Sequence, residues 1–345
     1  ESQFWTTGYD TFGYCFFQCL VIDEAGEALL TRSADLRQAE MTSTLTEIRI
    51  WKDEAGADPT ADLADLLAAR GLVGKRLGIE TDTHGLTARW GAAMTARFDG
   101  LVEASDLVPA LRLVKSPAEI ECVRKAAAIG DACYLKALDL VAPGADEAAI
   151  LAAMQGEVFA LGGDYPGNEF IVGSGEAALL CRYKSGRRRL EARDQLTLEW
   201  AGVWRHYHAA LMRTVVVGEP RPEHVAMHEA AKDALLACEA AMKPGRAMGE
   251  VFAAHAATLD EAGYGAARLN ACGYALGARF SPSWMEAFMF YEGAPQVMAP
   301  GMVFFLHMIL MDSETGAAMS LGRTSLVTEA GAEPLSSLAL DLPLR

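Results

Sequence analysis

A near-duplication inside the chain limits its fold more than any single motif does. Pro143-Gly144 recurs 101 residues later as Pro244-Gly245, and each proline is followed nineteen residues on by a glycine, Gly162 and Gly263. At the same offset Ala152-Ala153 matches Ala253-Ala254. Each Pro-Gly pair has a helical pattern before and after it, and each helical pair leads into strand-rich sequence. Those strands are Phe170 to Val172 and Gln195 to Trp204 in the first copy, then Met302 to Met311 and Ser325 to Thr328 in the second. Two helix-helix-strand units predict one pseudo-symmetric domain with a site between its halves. Chance is the alternative, because Pro-Gly before a helix is common and alanine-rich matches are cheap.

The segment Val114-Lys115-Ser116-Pro117-Ala118-Glu119 marks where this domain begins. Ser116 can cap a helix, Pro117 suits its first turn, and Glu119 completes a capping box. Ile120, Val123, Ala127, Ile129, Cys133, Leu135 and Leu138 broadly follow helical spacing toward Val141, so one face should be buried. The border is placed near residue 112, giving a first domain over 1–112 and a second over 113–345. In the first, Tyr14 to Ile22, Glu47 to Trp51 and Leu77 to Glu80 read as strands, and Thr60 to Arg70 and Leu86 to Phe98 as helices. This is an α/β pattern around a small sheet. The chain opens with neither an initiator methionine nor a signal pattern, so a trimmed N-terminus is expected.

Charge and cysteine usage remove several classes of function. With 30 basic against 46 acidic residues the net charge is -16, and such a surface repels a phosphate backbone, so no nucleic-acid partner is expected. Apolar runs such as Met302 to Leu306 fall far short of the roughly 20 residues a membrane span needs. The seven cysteines are scattered and contain no C-x-x-C pair, which predicts reduced thiols in a cytoplasmic protein.

From Val114 to Glu329 the chain resembles the creatinase, prolidase and aminopeptidase P superfamily. The landmarks are Leu198-Glu199-Trp200-Ala201-Gly202, Arg213-Thr214-Val215, Gly273-Tyr274-Ala275-Leu276-Gly277, Pro300-Gly301-Met302-Val303-Phe304 and Leu326-Val327-Thr328-Glu329. Trp5-Thr6-Thr7-Gly8-Tyr9-Asp10 is similar to part of that superfamily's N-terminal domain. The resemblance implies an α/β (α+β) chain: a creatinase-like α/β domain followed by a pseudo-symmetric pita-bread domain. It also implies a homodimer in which Trp5, Tyr9 and Phe12 of one copy touch the other's ligand. Peptidases of the superfamily hold two metal ions with five side chains, and those positions fall here on Glu199, Ala210, Tyr274, His307 and Gly322. One carboxylate and one imidazole cannot neutralise two close divalent cations, so neither metal nor cofactor is expected.

Glu199, the Tyr207-His208 pair, Gly273 to Gly277, Pro282 with Trp284, and Gly163-Asp164-Tyr165-Pro166 resemble the ectoine hydrolase branch, which with creatinase cleaves C–N bonds without paired metals. Arg182 departs from the pattern, standing seventeen residues before Glu199 where a histidine is usual, and Arg323 stands near the lost second glutamate. Two guanidinium groups would suit an anionic group of a small-molecule substrate.

The expected chemistry is a metal-independent hydrolysis, with Glu199 as base or nucleophile and His208 or His307 passing a proton to the departing nitrogen. Tyr207, Arg182, Tyr274, Trp284 and Arg323 would bind the substrate, Tyr274 and Trp284 by cation–π contact. Each assignment has a bland counterpart. Glu199 could form a structural ion pair with Arg205 or Arg213, while its pairing with His307 across the pseudo-symmetric site belongs to the functional reading, and His206 and His208 would share one side of a strand with Tyr207 on the other. His307 could simply be a core histidine bonded to a carbonyl, and Tyr274 and Trp284 packing aromatics. Two other functions stay open: a non-catalytic peptide-binding module of the same fold, and an Xaa-Pro dipeptidase or aminopeptidase.

Overall fold

The computed structural model describes residues 1–182 and 185–345. The chain divides into two compact units, Glu1–Arg112 and Leu113–Arg345. In the first unit α1 (Ser2–Thr7) precedes a hairpin of β1 (Cys19–Asp23) and β2 (Gly26–Arg32), α2 (Leu36–Thr42) and β3 (Ile48–Trp51). Strands β1 and β2 are antiparallel, β2 and β3 parallel. Then come α3 (Pro59–Ala69), β4 (Leu77–Ile79), α4 (Ala88–Arg97), β5 (Leu101–Glu103), parallel to β4, and α5 (Leu107–Leu113). Phe17, Val21, Leu30, Trp51, Leu63, Leu66 and Met94 form the core. The expected strand from Tyr14 begins only at Cys19, because Tyr14 to Phe16 turn back on themselves, with the Phe12 and Tyr14 rings 5.1 Å apart edge to face.

The second unit opens with α6 (Pro117–Leu138), capped as its sequence requires: Ser116 N–H donates to Glu119 Oε2 at 2.8 Å, and Glu119 N–H to Ser116 Oγ at 3.4 Å. It continues through α7 (Glu147–Ala160), β6 (Ile171–Ser174), β7 (Asp194–Trp204) and β8 (Tyr207–Val217). The second half repeats this order as α8 (Pro222–Ala241), α9 (Met248–Glu261), β9 (Ala271–Ala275), an added β10 (Met289–Tyr291), β11 (Val303–Asp312) and β12 (Ala317–Thr328), with β13 (Gly331–Pro334) last. Helices α7 and α9 begin and end 101 residues apart. The repeated glycines share one backbone state, φ 83° and 81° at Gly144 and Gly245, 79° and 85° at Gly162 and Gly263. These left-handed positions are why glycine recurs at both places.

The strands of this unit form one antiparallel sheet in the order β10-β9-β11-β12-β8-β7-β6, with β13 on β12. Read from the centre outward the order is the same on both sides, so the halves meet where Leu321 and Gly322 of β12 pair with Arg213 and Met212 of β8. One sheet face carries the helices. Trp200 of β7 stacks on Tyr134 of α6 at 5.4 Å and donates its indole N–H to Gly130 O at 2.8 Å. Leu306, Met308, Leu310, Met319 and Leu321 pack in one core with residues of α8 and α9. Strands β7 and β8 are buried on both faces, so their polar residues, Thr197, Glu199 and His208 among them, are buried with the apolar ones.

Candidate active site

Side chains alternate between the faces of a sheet, and cross-strand partners share a face. Glu199 pairs with Met212, Met212 with Gly322, and Gly322 with His307, so these four form one row across β7, β8, β12 and β11. Tyr274 of β9 pairs with Phe305, two residues from His307, and lies on the same face. Ala210 and His208, spaced by two along β8 from Met212, share it as well. The face opposite the helices therefore gathers Glu199, His208, Ala210, Tyr274, His307 and Gly322.

Glu199 is the polar centre of this face. It is 5% exposed, its Oε2 has no hydrogen-bond partner, and burial pushes its carboxyl up to about 7 against a weaker opposing pull from Arg182. Arg182 Nη1 lies 3.8 Å from Glu199 Oε2. The expected ion pairs with Arg205, Arg213 and His307 are not made. Arg213 is on the helix side, donating from Nη1 to Met212 O at 2.8 Å and Gly322 O at 2.7 Å. Glu199 Oε2 and His307 Nδ1 are both without a hydrogen-bond partner, so no bond joins them there.

His307 is 7% exposed with Nδ1 unpartnered, and its ring lies 5.7 Å from that of Tyr274. His208 is fully buried, and its Nε2 accepts the Gly167 N–H at 2.9 Å, so its proton sits on Nδ1, which has no partner. Burial pushes both imidazoles down to about 3, so both are neutral at neutral pH. Neither arrives as an imidazolium to release a proton, contrary to expectation.

Trp284 is buried and donates its indole N–H to the Tyr274 hydroxyl at 2.8 Å. Burial, reinforced by the Glu199 charge, raises the Tyr274 phenol well above its usual value, so it stays a neutral hydroxyl with its own proton to donate. The loop of Gly163 to Asn168 organises these groups. Besides the Gly167 bond to His208, Asn168 Oδ1 accepts the backbone N–H of Trp284 at 3.1 Å and Asp164 Oδ2 the backbone N–H of His206 at 3.1 Å. Gly167 and Asn168 escaped the sequence reading; the adjoining Gly163-Asp164-Tyr165-Pro166 was their available signal.

Several expected ligand-binding residues lie elsewhere. Arg205 and His206 are not in a strand: they form the two-residue turn between β7 and β8, with φ 49° and 63°, as a hairpin of this twist requires. Tyr207 points to the helix side and donates to Glu119 Oε1 at 2.8 Å, joining the hairpin to the α6 cap. Arg323 also faces the helices, where a two-pronged ion pair with Glu239 of α8 (2.8 and 2.7 Å) occupies it. In the first unit Tyr9 is fully buried, packed with Leu29 and Ala39, while its hydroxyl meets Thr31 Oγ1 at 3.3 Å and Gln18 Nε2 at 3.1 Å. That is a core residue with no surface to offer a ligand. Phe12 is 44% exposed, and Trp5 sits on α1. Two cavities of the second unit, about 750 Å3 around Arg188, Gln195 and His224 and about 380 Å3 around Ile129, Leu161 and Trp204, include none of the candidate residues.

The donor set does not fit a pair of metal ions. Of the five positions only Glu199 and His307 offer the side chains such ions require, Ala210 has a methyl group, and the Tyr274 oxygen already accepts the Trp284 N–H. The place of the fifth ligand is filled: a Cβ at Gly322 would lie 2.8 Å from Cε2 of the Phe305 ring and 2.6 Å from Leu306 O. Among the described residues no three His, Cys, Asp or Glu side chains come together as a metal-binding group.

Comparison with known proteins agrees with this architecture. The model of metallopeptidase family M24 matches residues 121–329, and that of the creatinase/prolidase N-terminal domain matches residues 1–114. Ectoine hydrolase of Halomonas elongata is 27% identical, covering 99% of this chain and 90% of that protein. An Xaa-Pro dipeptidase of Pyrococcus furiosus is 25% identical over 76% of each. The solved structure of an Xaa-Pro dipeptidase from Bacillus anthracis superposes with a TM-score of 0.86 at 22% identity, covering 100% of this chain and 92% of that one.

Proposed function

We propose that this chain, which belongs to metallopeptidase family M24 and is a hydrolase of that family, cleaves a C–N bond of a small polar nitrogen compound, ectoine-like or creatine-like, without metal ions. The observation that carries this reading is Glu199: a buried carboxyl poised near neutrality, at the first of five ligand positions that no longer suit a metal pair. A carboxyl near 7 exists in both protonation states at working pH and can serve in both directions. Glu199 takes a proton from water as the oxygen attacks the amide or amidine carbon, then gives it to the nitrogen as the C–N bond breaks. The Tyr274 hydroxyl, oriented by Trp284, donates a hydrogen bond where negative charge develops. His307 lines the same face as a neutral hydrogen-bonding group, and His208 holds the Gly167 loop. The reading includes a cytoplasmic location, in keeping with seven free cysteines, and a homodimer in which Trp5 and Phe12 of one copy reach the ligand of the other.

The test is turnover of ectoine, hydroxyectoine, creatine, N-acylated diamino acids and Xaa-Pro dipeptides, each with and without a chelator. We expect cleavage of one of the small C–N compounds, unchanged by chelation, and a loss of roughly 10²- to 10⁴-fold in kcat in Glu199→Gln. Chelator-sensitive dipeptide cleavage, or full activity in that variant, would overturn the reading.

A further inference from the structure

The cations expected beside Glu199 reduce, in the structure, to one. Arg323 is committed to Glu239, and Arg213 holds two carbonyls on the far side of the sheet. Arg182 alone among these three stands on the Glu199 side. Its side chain is 73% exposed, against 7% for Glu199, and its 3.8 Å separation is longer than a hydrogen bond. Nη1 donates instead to Cys181 O at 2.7 Å. Among the described residues Nε and Nη2 make no hydrogen bond, so the outer edge of the guanidinium keeps a fork of donors suited to a carboxylate. The groups whose charges bear on Glu199 and on one another here are Arg182, Cys181, Tyr274, His307 and, acting on His307, His255, with His208 on the same sheet face.

We propose that Arg182 is the seat for a carboxylate of the substrate, so that the enzyme selects C–N compounds that carry a carboxylate, and that filling this seat draws the guanidinium's charge away from Glu199. The inference rests on the reading of Glu199 as the proton-handling group. Its consequence for the reaction has a definite sign. The Arg182 cation favours the ionised form of Glu199, and a carboxylate paired with Arg182 cancels that influence, so Glu199 binds its proton more tightly once substrate is in place. The bound substrate thus helps retain the proton that Glu199 later delivers to nitrogen.

The experiment uses the full chain carrying Glu199→Gln, which does not consume its ligand, with Arg182 intact or replaced in Arg182→Gln. Binding of ectoine, creatine and their methyl esters is measured by calorimetry. Expected is binding of at least one free acid, a loss of roughly 10- to 100-fold on Arg182→Gln, and an ester affinity that the substitution leaves alone. Equal affinity for acid and ester, no loss on Arg182→Gln, or no binding of either acid overturns the proposal. A parallel measurement separates its failure from failure of the underlying reading. With Glu199 present, the pH midpoint of its effect on thermal stability should rise in Arg182→Gln. A raised midpoint without acid-selective binding refutes the carboxylate seat while leaving Glu199 in its role; an unmoved midpoint refutes the electrostatic coupling.

Discussion

Replacing Glu199 by glutamine should stabilise the protein at alkaline pH and hardly affect it in acid. Burial raises the Glu199 carboxyl from 4.5 to about 7, a difference equivalent to roughly 3 kcal/mol. Between those values the folded chain retains a proton that the unfolded chain has already lost. The stability associated with this group is therefore complete below pH 4.5 and is lost as pH rises through about 7. Glutamine keeps the shape of the protonated acid and never ionises. The variant should match the parent near pH 4.5 and exceed it by roughly 3 kcal/mol at pH 8.5, or roughly 6–12 °C in Tm for a domain of this size. Calorimetric melts of both proteins across pH 4.5 to 8.5 measure this directly and need no substrate. Other groups, His208 and His307 among them, also bend each profile, but they are common to the two proteins and cancel in the difference. A difference that stays flat across the range would show that Glu199 titrates as an exposed carboxyl, and the case for its chemistry would fail with it.

Three further outcomes follow from the packing. Tyr207→Phe removes the bond to Glu119 and should cost about 1 kcal/mol in denaturant melts while leaving kcat unchanged, since the ring lies on the helix side; a large fall in kcat would return Tyr207 to the site. Arg323→Met strands the buried Glu239 carboxylate and should destabilise the protein by about 3–5 kcal/mol, with no change in KM for those molecules that stay folded. Gly202→Ala would drive a methyl group into the Ala126 carbonyl of α6, so soluble yield and Tm should both fall sharply; normal stability would mean that α6 and β7 are not in such close approach.

The reason some residues were placed correctly from sequence and others were not is visible in β7 and β8. Both are buried on the two faces, so their apolar pattern does not reveal which side a given residue takes. Reading the hairpin turn as strand put His206 on a face with His208, whereas Arg205 and His206 are the turn itself. Tyr207 was correctly separated from His208, yet nothing local showed that its side meets α6. Arg323 was placed near the site because it adjoins Gly322, but adjacent residues of a strand point to opposite faces, and it binds Glu239 behind the sheet.

What the sequence determined by itself is the local and the repeated: the Ser116 and Glu119 cap, the glycine-terminated helix pairs at a fixed offset, and the residue types at the five positions the resemblance marks, three of which, Ala210, Tyr274 and Gly322, carry no carboxylate or imidazole. These depend on residue type and short-range spacing, which a chain carries before it folds. Only the tertiary structure decided which cation stands beside Glu199, that Phe305 fills the space left at Gly322, and that His208 is occupied by a loop amide. Those facts come from strand register and from helices packed against one sheet face, which bring together residues far apart in the chain. Burial then sets their proton affinities, as the removal of Glu199 from water does here.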